Sequence, residues 1–230
     1  MTQEDYQKLI DLKDASAIQS DMYNITASGY QNYNPFVDPV EAKPDSLGYA
    51  KQKNLAYSSS DFHGYSVADL GCSMGYFSFL ALNLGASKVT GFDREESYVW
   101  RLNKLAKKYG EMFPRYENKL SFEHKELITL PKIPATDVLL VHSLIHWFFI
   151  FDKQITMDAI VDWMWENCAF GVYFEGCIDA SEQVMLQHNV SVERISPQLF
   201  FQAVHRKFKQ VTCLKTMDYN QKRVAVRLIK

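Results

Sequence analysis

The sequence predicts a doubly wound α/β fold, and three observations carry that reading. From residue 65 onward, short β-branched or apolar runs alternate with longer stretches of helical period, the pattern of βα units on a mainly parallel sheet. The last two runs are separated only by the turn phrase M-D-Y-N-Q, so they should pair as a C-terminal antiparallel hairpin. The chain has 230 residues, 47% of them apolar, which suits one large domain or one domain with an extension.

Taken in order, the expected strands are 65–70, 88–92, 120–124, 137–141, 171–174, 211–216 and 223–229, seven in all, the first five joined by longer crossovers. Helical stretches fall at 76–84, 95–109, 158–167 and 197–207. Residues 1–63 differ in composition. An amphipathic start at 3–18 places Leu9, Ile10, Leu12, Ala15 and Ile18 at helical spacing, 23–44 is rich in Tyr, Asn, Pro and Gly, and a second helix is expected at 46–57 before the polar S-S-S-D leads into the first strand. With too few apolar residues to close a core alone, 1–63 reads as an N-terminal helical cap or lid on a domain spanning 64–230.

Charge and composition narrow the function. With 25 Lys and Arg against 27 Asp and Glu, the net charge is -2, which lacks the cationic surplus that draws a protein to nucleic acid or anionic membrane. The basic run Arg101, Lys104, Lys107 and Lys108 has the spacing of a solvated helix face. The opening M-T-Q-E-D-Y-Q has no basic stretch followed by an apolar one, so a cytoplasmic location is expected. The apolar tract 138–151 is interrupted by His142 and His146 and falls short of the roughly 18 to 20 residues that cross a bilayer. It reads as core, without a membrane span. Cys72, Cys168, Cys177 and Cys213 have no C-x-x-C spacing. They argue against a zinc knuckle or a disulfide framework and are expected to be reduced and buried.

The segment V-A-D-L-G-C-S-M-G-Y, residues 67–76, carries the chemistry. It places an acid at the end of a strand, small residues at 71, 73 and 75, and then a helix, a side-chain-poor turn that lets a ligand approach backbone N–H groups. A dinucleotide-binding G-x-G-x-x-G would need a third Gly where Tyr76 stands. The segment resembles the first motif, D/E-x-G-x-G-x-G, of the class I S-adenosylmethionine-dependent methyltransferases, with Asp69, Gly71, Ser73 and Gly75 in register and Ser in place of the middle Gly. The resemblance implies a seven-stranded Rossmann-like methyltransferase sheet with S-adenosyl-L-methionine as cofactor. Asp69, Gly71, Cys72, Ser73 and Gly75 would line the donor.

Later positions match the same family. Asp93, in G-F-D-R, ends the second strand 22 residues after Gly71, where the resemblance implies a carboxylate on the ribose hydroxyls with Arg94 beside it. The third strand runs F-E-H-K-E-L-I-T-L-P, similar to F-x-x-x-D-x-x-x-L-P, so Glu126 stands where an Asp faces the adenine amine, next to Leu127. Glu carries its carboxylate about 1.5 Å further out than Asp. Beyond the fourth strand, T-D-V-L-L-V-H-S-L-I-H-W, the family places the methionine end of the donor and the acceptor pocket, which brings in His142 and Ser143. The phrase Ser143-Leu144-Ile145-His146 resembles S-x-x-H in methyltransferase domains of bacterial O-antigen chain-terminating enzymes and related sugar O-methyltransferases. Tyr30 and Gln31 look like the Tyr-Gln pair that caps the donor in that group, with Lys51 where an Arg is expected for the donor carboxylate. Lys cannot grip a carboxylate with two parallel bonds.

Two residues are candidates for catalysis. His146 suits removal of a proton from an acceptor hydroxyl, since a sulfonium methyl is already activated and the remaining work is alignment and proton removal. The alternative is a buried, neutral scaffold histidine. Glu175, in Y-F-E-G, is a second acid that could enter the same cleft, or else a capping carboxylate. His142 and His146 are four apart, but a strand end at His142 breaks the helical geometry of a metal pair, so no metal is expected. The leading function is S-adenosylmethionine-dependent O-methylation of a small molecule or sugar hydroxyl, or of a phosphate. The alternatives are an RNA (tRNA) methyltransferase, with nucleic acid as a less favoured partner, and a non-catalytic donor-binding subunit.

Overall fold

The computed structural model describes residues 57–216 and 223–230. The expected helix at 3–18, all but the last residue of that at 46–57, the turn at 217–221, and Tyr30, Gln31 and Lys51 lie outside the described residues. The elements run α1 (Ser59–Phe62), β1 (Ser66–Leu70), α2 (Tyr76–Asn83), β2 (Lys88–Asp93), α3 (Glu96–Met112), a 3-10 turn (Pro114–Tyr116), β3 (Leu120–His124), β4 (Val138–His142), α4 (Ile145–Phe151), α5 (Met157–Glu166), β5 (Gly171–Cys177), α6 (Gln183–Gln187), α7 (Pro197–Lys207), β6 (Gln210–Thr216) and β7 (Arg223–Ile229). The seven strands form one sheet in the order β3-β2-β1-β4-β5-β7-β6. β7 runs antiparallel to both β5 and β6. The hairpin is as expected, and its second strand, not its first, lies against β5.

Two compact units divide the chain. One takes in 57–65 and Cys72–His124, the other Ser66–Gly71 and Lys125–Lys230. In the first, β2 and β3 pair parallel and α3 packs its apolar stripe, Val99, Leu102, Leu105 and Tyr109, on them. Arg101, Lys104 and Lys107 stay exposed on the opposite face, with Lys104 over the Trp100 ring at 3.6 Å. Asn103 acts as a surrogate strand for β3. It donates from Nδ2 to the Phe122 carbonyl at 2.8 Å and accepts the Phe122 amide at 2.9 Å, satisfying backbone groups that an edge strand leaves open. Gly91 admits the Phe122 ring, because a Cβ there would lie 2.5 Å from Phe122 Cδ1.

In the second unit, β1 and β4 pair parallel, as do β4 and β5. Every residue of β4 and β5 is buried, the mark of strands covered on both faces. α5 and α7 pack together, capped by Thr156 and Ser196 side chains that accept the Ala159 and Leu199 amides, and are bridged by Arg206 to Asp158 and by Lys207 to Asp162. In the run Trp163-Met164-Trp165 the first two residues are buried in the core and Trp165 is half-buried. Trp163 donates to the Pro131 carbonyl at 2.7 Å, and the Lys230 ammonium sits 3.9 Å over Trp165.

The structure corrects three details. The S-S-S-D phrase does not simply lead into β1. Its last residues open α1, because the Asp61 carboxylate accepts the Ser58 amide at 2.7 Å and so satisfies an N-terminal N–H. The apolar tract 138–151 is core as expected, divided between β4 and α4, which begins at Ile145. β5 extends to Cys177 instead of stopping at 174, because the Glu175 charge that reads as a terminator is paired by Arg223. Cys213 is exposed; it sits on the edge strand beside a register shift, while the other three cysteines are buried as expected.

Candidate functional site

In the first unit the turn after β1 is built on left-handed backbone. Ser73 has φ 48° and Gly75 φ 74°. A left-handed L residue costs roughly 1 to 2 kcal/mol, a penalty that Gly at position 73 would not carry. The turn is tied down by its own amides. Cys72 donates to the Phe92 carbonyl at 2.9 Å and Gly75 to the Cys72 carbonyl at 2.8 Å. Ser73 donates to Asp93 Oδ2 at 2.8 Å, and Asp93 Oδ1 accepts the Glu95 amide at 2.9 Å. Each carboxylate oxygen thus takes one backbone bond. A carboxylate offers about four acceptor sites, and Asp93 is half-buried, so acceptor capacity remains for a vicinal diol. Arg94, next along, is exposed. A Cβ at Gly75 would come within 3.1 Å of the Phe122 ring, on a left-handed φ that strains any L side chain.

In the second unit, Asp69, His142 and Glu175 stand at the carboxyl ends of adjacent parallel strands. Asp69 pairs in register with Leu140, and His142 with Glu175. All three are buried. Gly71, at φ 69°, is packed so that a Cβ would meet Leu144 Cδ1 at 3.1 Å. Ser143, the residue after β4, is also left-handed at φ 49°. Its amide donates to the Glu175 carbonyl at 2.7 Å, and its hydroxyl donates to Glu175 Oε2 at 3.0 Å. Arg223, the first residue of β7, donates from Nε to Glu175 Oε1 at 3.1 Å and from Nη2 to Ser143 Oγ at 2.7 Å. The Arg223 and Glu175 side chains are only 10% and 3% exposed. His146 lies on the first turn of α4, buried, with its ring 5.0 Å from that of Trp147. Glu126 is exposed and accepts the Ile128 amide at 3.2 Å, while Leu127 is buried.

The structure therefore joins Ser73 to Asp93, and Ser143 to Glu175, as hydrogen-bonded pairs. The residue that sequence reasoning missed is Arg223. Its only sequence signal is a cation opening the last strand, and the hairpin register that sets it beside Cys177 is not readable from the chain. Burial pushes the Cys177 thiol up to about 11, so it stays protonated near neutrality.

No family model matches the chain. Over 40 residues, 17% of this chain and 14% of the relative's length, it is 50% identical to a tRNA U34 carboxymethyltransferase of Campylobacter hominis. Among solved structures it resembles the N-methyltransferase NodS from Bradyrhizobium japonicum WM9 in complex with S-adenosyl-L-homocysteine, at a TM-score of 0.58 and 11% identity over 94% of this chain and 97% of that one. It also resembles the bifunctional kinase-methyltransferase WbdD, at a TM-score of 0.59 and 14% identity over 91% of this chain and 46% of that one. The chain has the fold of class I S-adenosylmethionine-dependent methyltransferases.

Proposed function

We propose that this chain is an S-adenosylmethionine-dependent methyltransferase acting on a hydroxyl, or a phosphate oxygen, of a small-molecule or carbohydrate acceptor. The observation that carries the reading is the bond from the Ser73 amide to Asp93, which fixes a half-buried carboxylate with acceptor capacity to spare against a turn of left-handed residues in a chain with the methyltransferase fold. S-Adenosylmethionine supplies an activated sulfonium methyl group. The chain's own work is to bind, orient and accept one proton.

In this reading Asp93 accepts the ribose hydroxyls with Arg94 beside it, Asp69, Gly71, Cys72, Ser73 and Gly75 form the turn, and Glu126, next to Leu127, faces the adenine amine. His142 and Ser143 stand at the methionine end, with Tyr30 and Gln31 assigned to cap the donor and Lys51 to its carboxylate. His146 removes the acceptor proton. Glu175, whose two carboxylate oxygens bond Ser143 and Arg223, serves this site by holding the turn. A second reading, methylation of tRNA, draws on the 40-residue likeness to the Campylobacter hominis protein; the net charge of -2 weighs against it.

Calorimetry with S-adenosylhomocysteine and transfer of a labelled methyl group into fractionated cell extract test both readings. Label in the nuclease-resistant small-molecule fraction is expected. Label confined to the nuclease-sensitive fraction would hand the function to the tRNA reading, and absence of donor-product binding would sink both.

A further inference from the structure

We propose that Arg223 is a positioning residue for methyl transfer, acting through Glu175 and Ser143 on the turn between His142 and His146; this inference rests on the methyltransferase reading. Ser143 adopts a left-handed φ of 49°, which an L side chain avoids unless its surroundings over-determine it. Three bonds do so. The Glu175 carbonyl accepts the Ser143 amide, the Glu175 carboxylate accepts its hydroxyl, and Arg223 Nη2 donates to the same hydroxyl oxygen. The guanidinium fork is what lets one cation reach both Glu175 Oε1 and Ser143 Oγ. A lysine ammonium has no such geometry.

A buried ion pair is a poor source of stability compared with well-packed apolar side chains of the same volume. The pair of Arg223 and Glu175 is nevertheless placed where β4 hands over to α4, and its hydrogen bonds specify one backbone conformation. From Ser143 the chain reaches His146 in three residues, through Leu144, which packs on Gly71. The far end of α4 is held in the same way, since Arg194 donates to the Phe149 carbonyl at 3.0 Å and to the Asp152 carbonyl at 2.5 Å. One guanidinium therefore bonds the end of the helix bearing His146, and another bonds Ser143, two residues before its start. Arg194 satisfies the helix C-terminus, and Arg223 sets the angle at which the helix starts.

The test uses the full chain, the variant Arg223→Lys, and the double variant Arg223→Met with Glu175→Gln, which removes both charges at similar volume so that neither is left uncompensated. Three quantities are measured: S-adenosylhomocysteine affinity by calorimetry, the His146 ring resonances by NMR of histidine-labelled protein, and labelled methyl transfer into the extract fraction that the wild type labels. The expected result is a folded protein with displaced His146 resonances and transfer reduced about tenfold to a hundredfold, as for a misaligned catalytic group, with donor-product affinity lowered less than transfer. Wild-type His146 resonances, or wild-type transfer, in both variants would overturn the inference while leaving the methyltransferase reading intact. A wild type that neither binds S-adenosylhomocysteine nor labels any fraction overturns that reading, and this inference with it.

Discussion

The Ser73 amide and the Asp93 carboxylate share a hydrogen bond of 2.8 Å across 20 residues of sequence. The carboxylate proposed to receive the ribose is thereby located by the turn proposed to receive the rest of the donor. One bond fixes the distance between two parts of the proposed binding surface before any ligand arrives, and such preorganisation lowers the ordering cost of binding.

Replacing Asp93 should therefore act twice, removing the ribose acceptor and loosening the turn. Asp93→Ala should weaken S-adenosylhomocysteine binding by about 1.5 to 3 kcal/mol, ten- to a hundredfold. Asp93→Asn, which retains one carbonyl acceptor, should lose less. Calorimetry on the folded variants decides it, and unchanged affinity in Asp93→Ala would remove Asp93 from the site.

Position 73 offers a test of backbone strain. Ser73→Gly should be neutral or slightly stabilising, because the left-handed φ of 48° no longer carries a Cβ penalty. Ser73→Val should destabilise by about 1 to 2 kcal/mol or more, since a β-branched residue is least suited to that region. Urea melts of the two variants give the ordering, and a valine variant as stable as the glycine one would contradict it.

His146 separates chemistry from scaffold. His146→Ala should leave donor-product affinity within a few-fold while cutting labelled transfer about a hundred- to ten-thousand-fold, the range for general base catalysis. If the ring only fills space, His146→Asn should keep most of the activity, since it can replace a hydrogen bond without accepting a proton near neutrality. Near-normal transfer by His146→Asn would end the base assignment.

Alkaline stability follows from the buried thiols. Burial raises Cys168 and Cys177 from 9.0 to about 11, so between those values the unfolded chain releases protons that the folded chain keeps. Their stabilising share is complete below pH 9 and declines as pH climbs toward 11, by about 2 kcal/mol for each thiol. Urea unfolding at pH 8 to 11 should show this slope in the wild type and a shallower one in Cys177→Ala. Equal slopes would show that the thiol does not contribute.

Much of the fold was legible because periodicity is local. β3, β7 and α7 match their expected bounds residue for residue, and the short link before the last strand was enough to announce a hairpin. α4 was not legible, because I-H-W-F-F-I-F is apolar on nearly every side and hides its period inside a run continuous with β4. In the site, the turn around Gly71 to Gly75 was visible as a spacing of small residues. The bond network around Ser143 was not, since it depends on which residue of β7 faces Glu175, and register is set by the assembled sheet.

The place of β7 between β5 and β6 has a consequence for the order of assembly. β6 precedes β7 along the chain yet touches β5 only through it, so as the polypeptide leaves the ribosome β6 emerges with no strand to join. Until residues 223–229 follow, β5 offers an open hydrogen-bonding edge to any neighbouring chain, and Glu175 is denied the cation that neutralises it. A nascent chain halted just before Arg223 should be the species most prone to self-association, and closure of the sheet and pairing of its buried charge should occur as one late event.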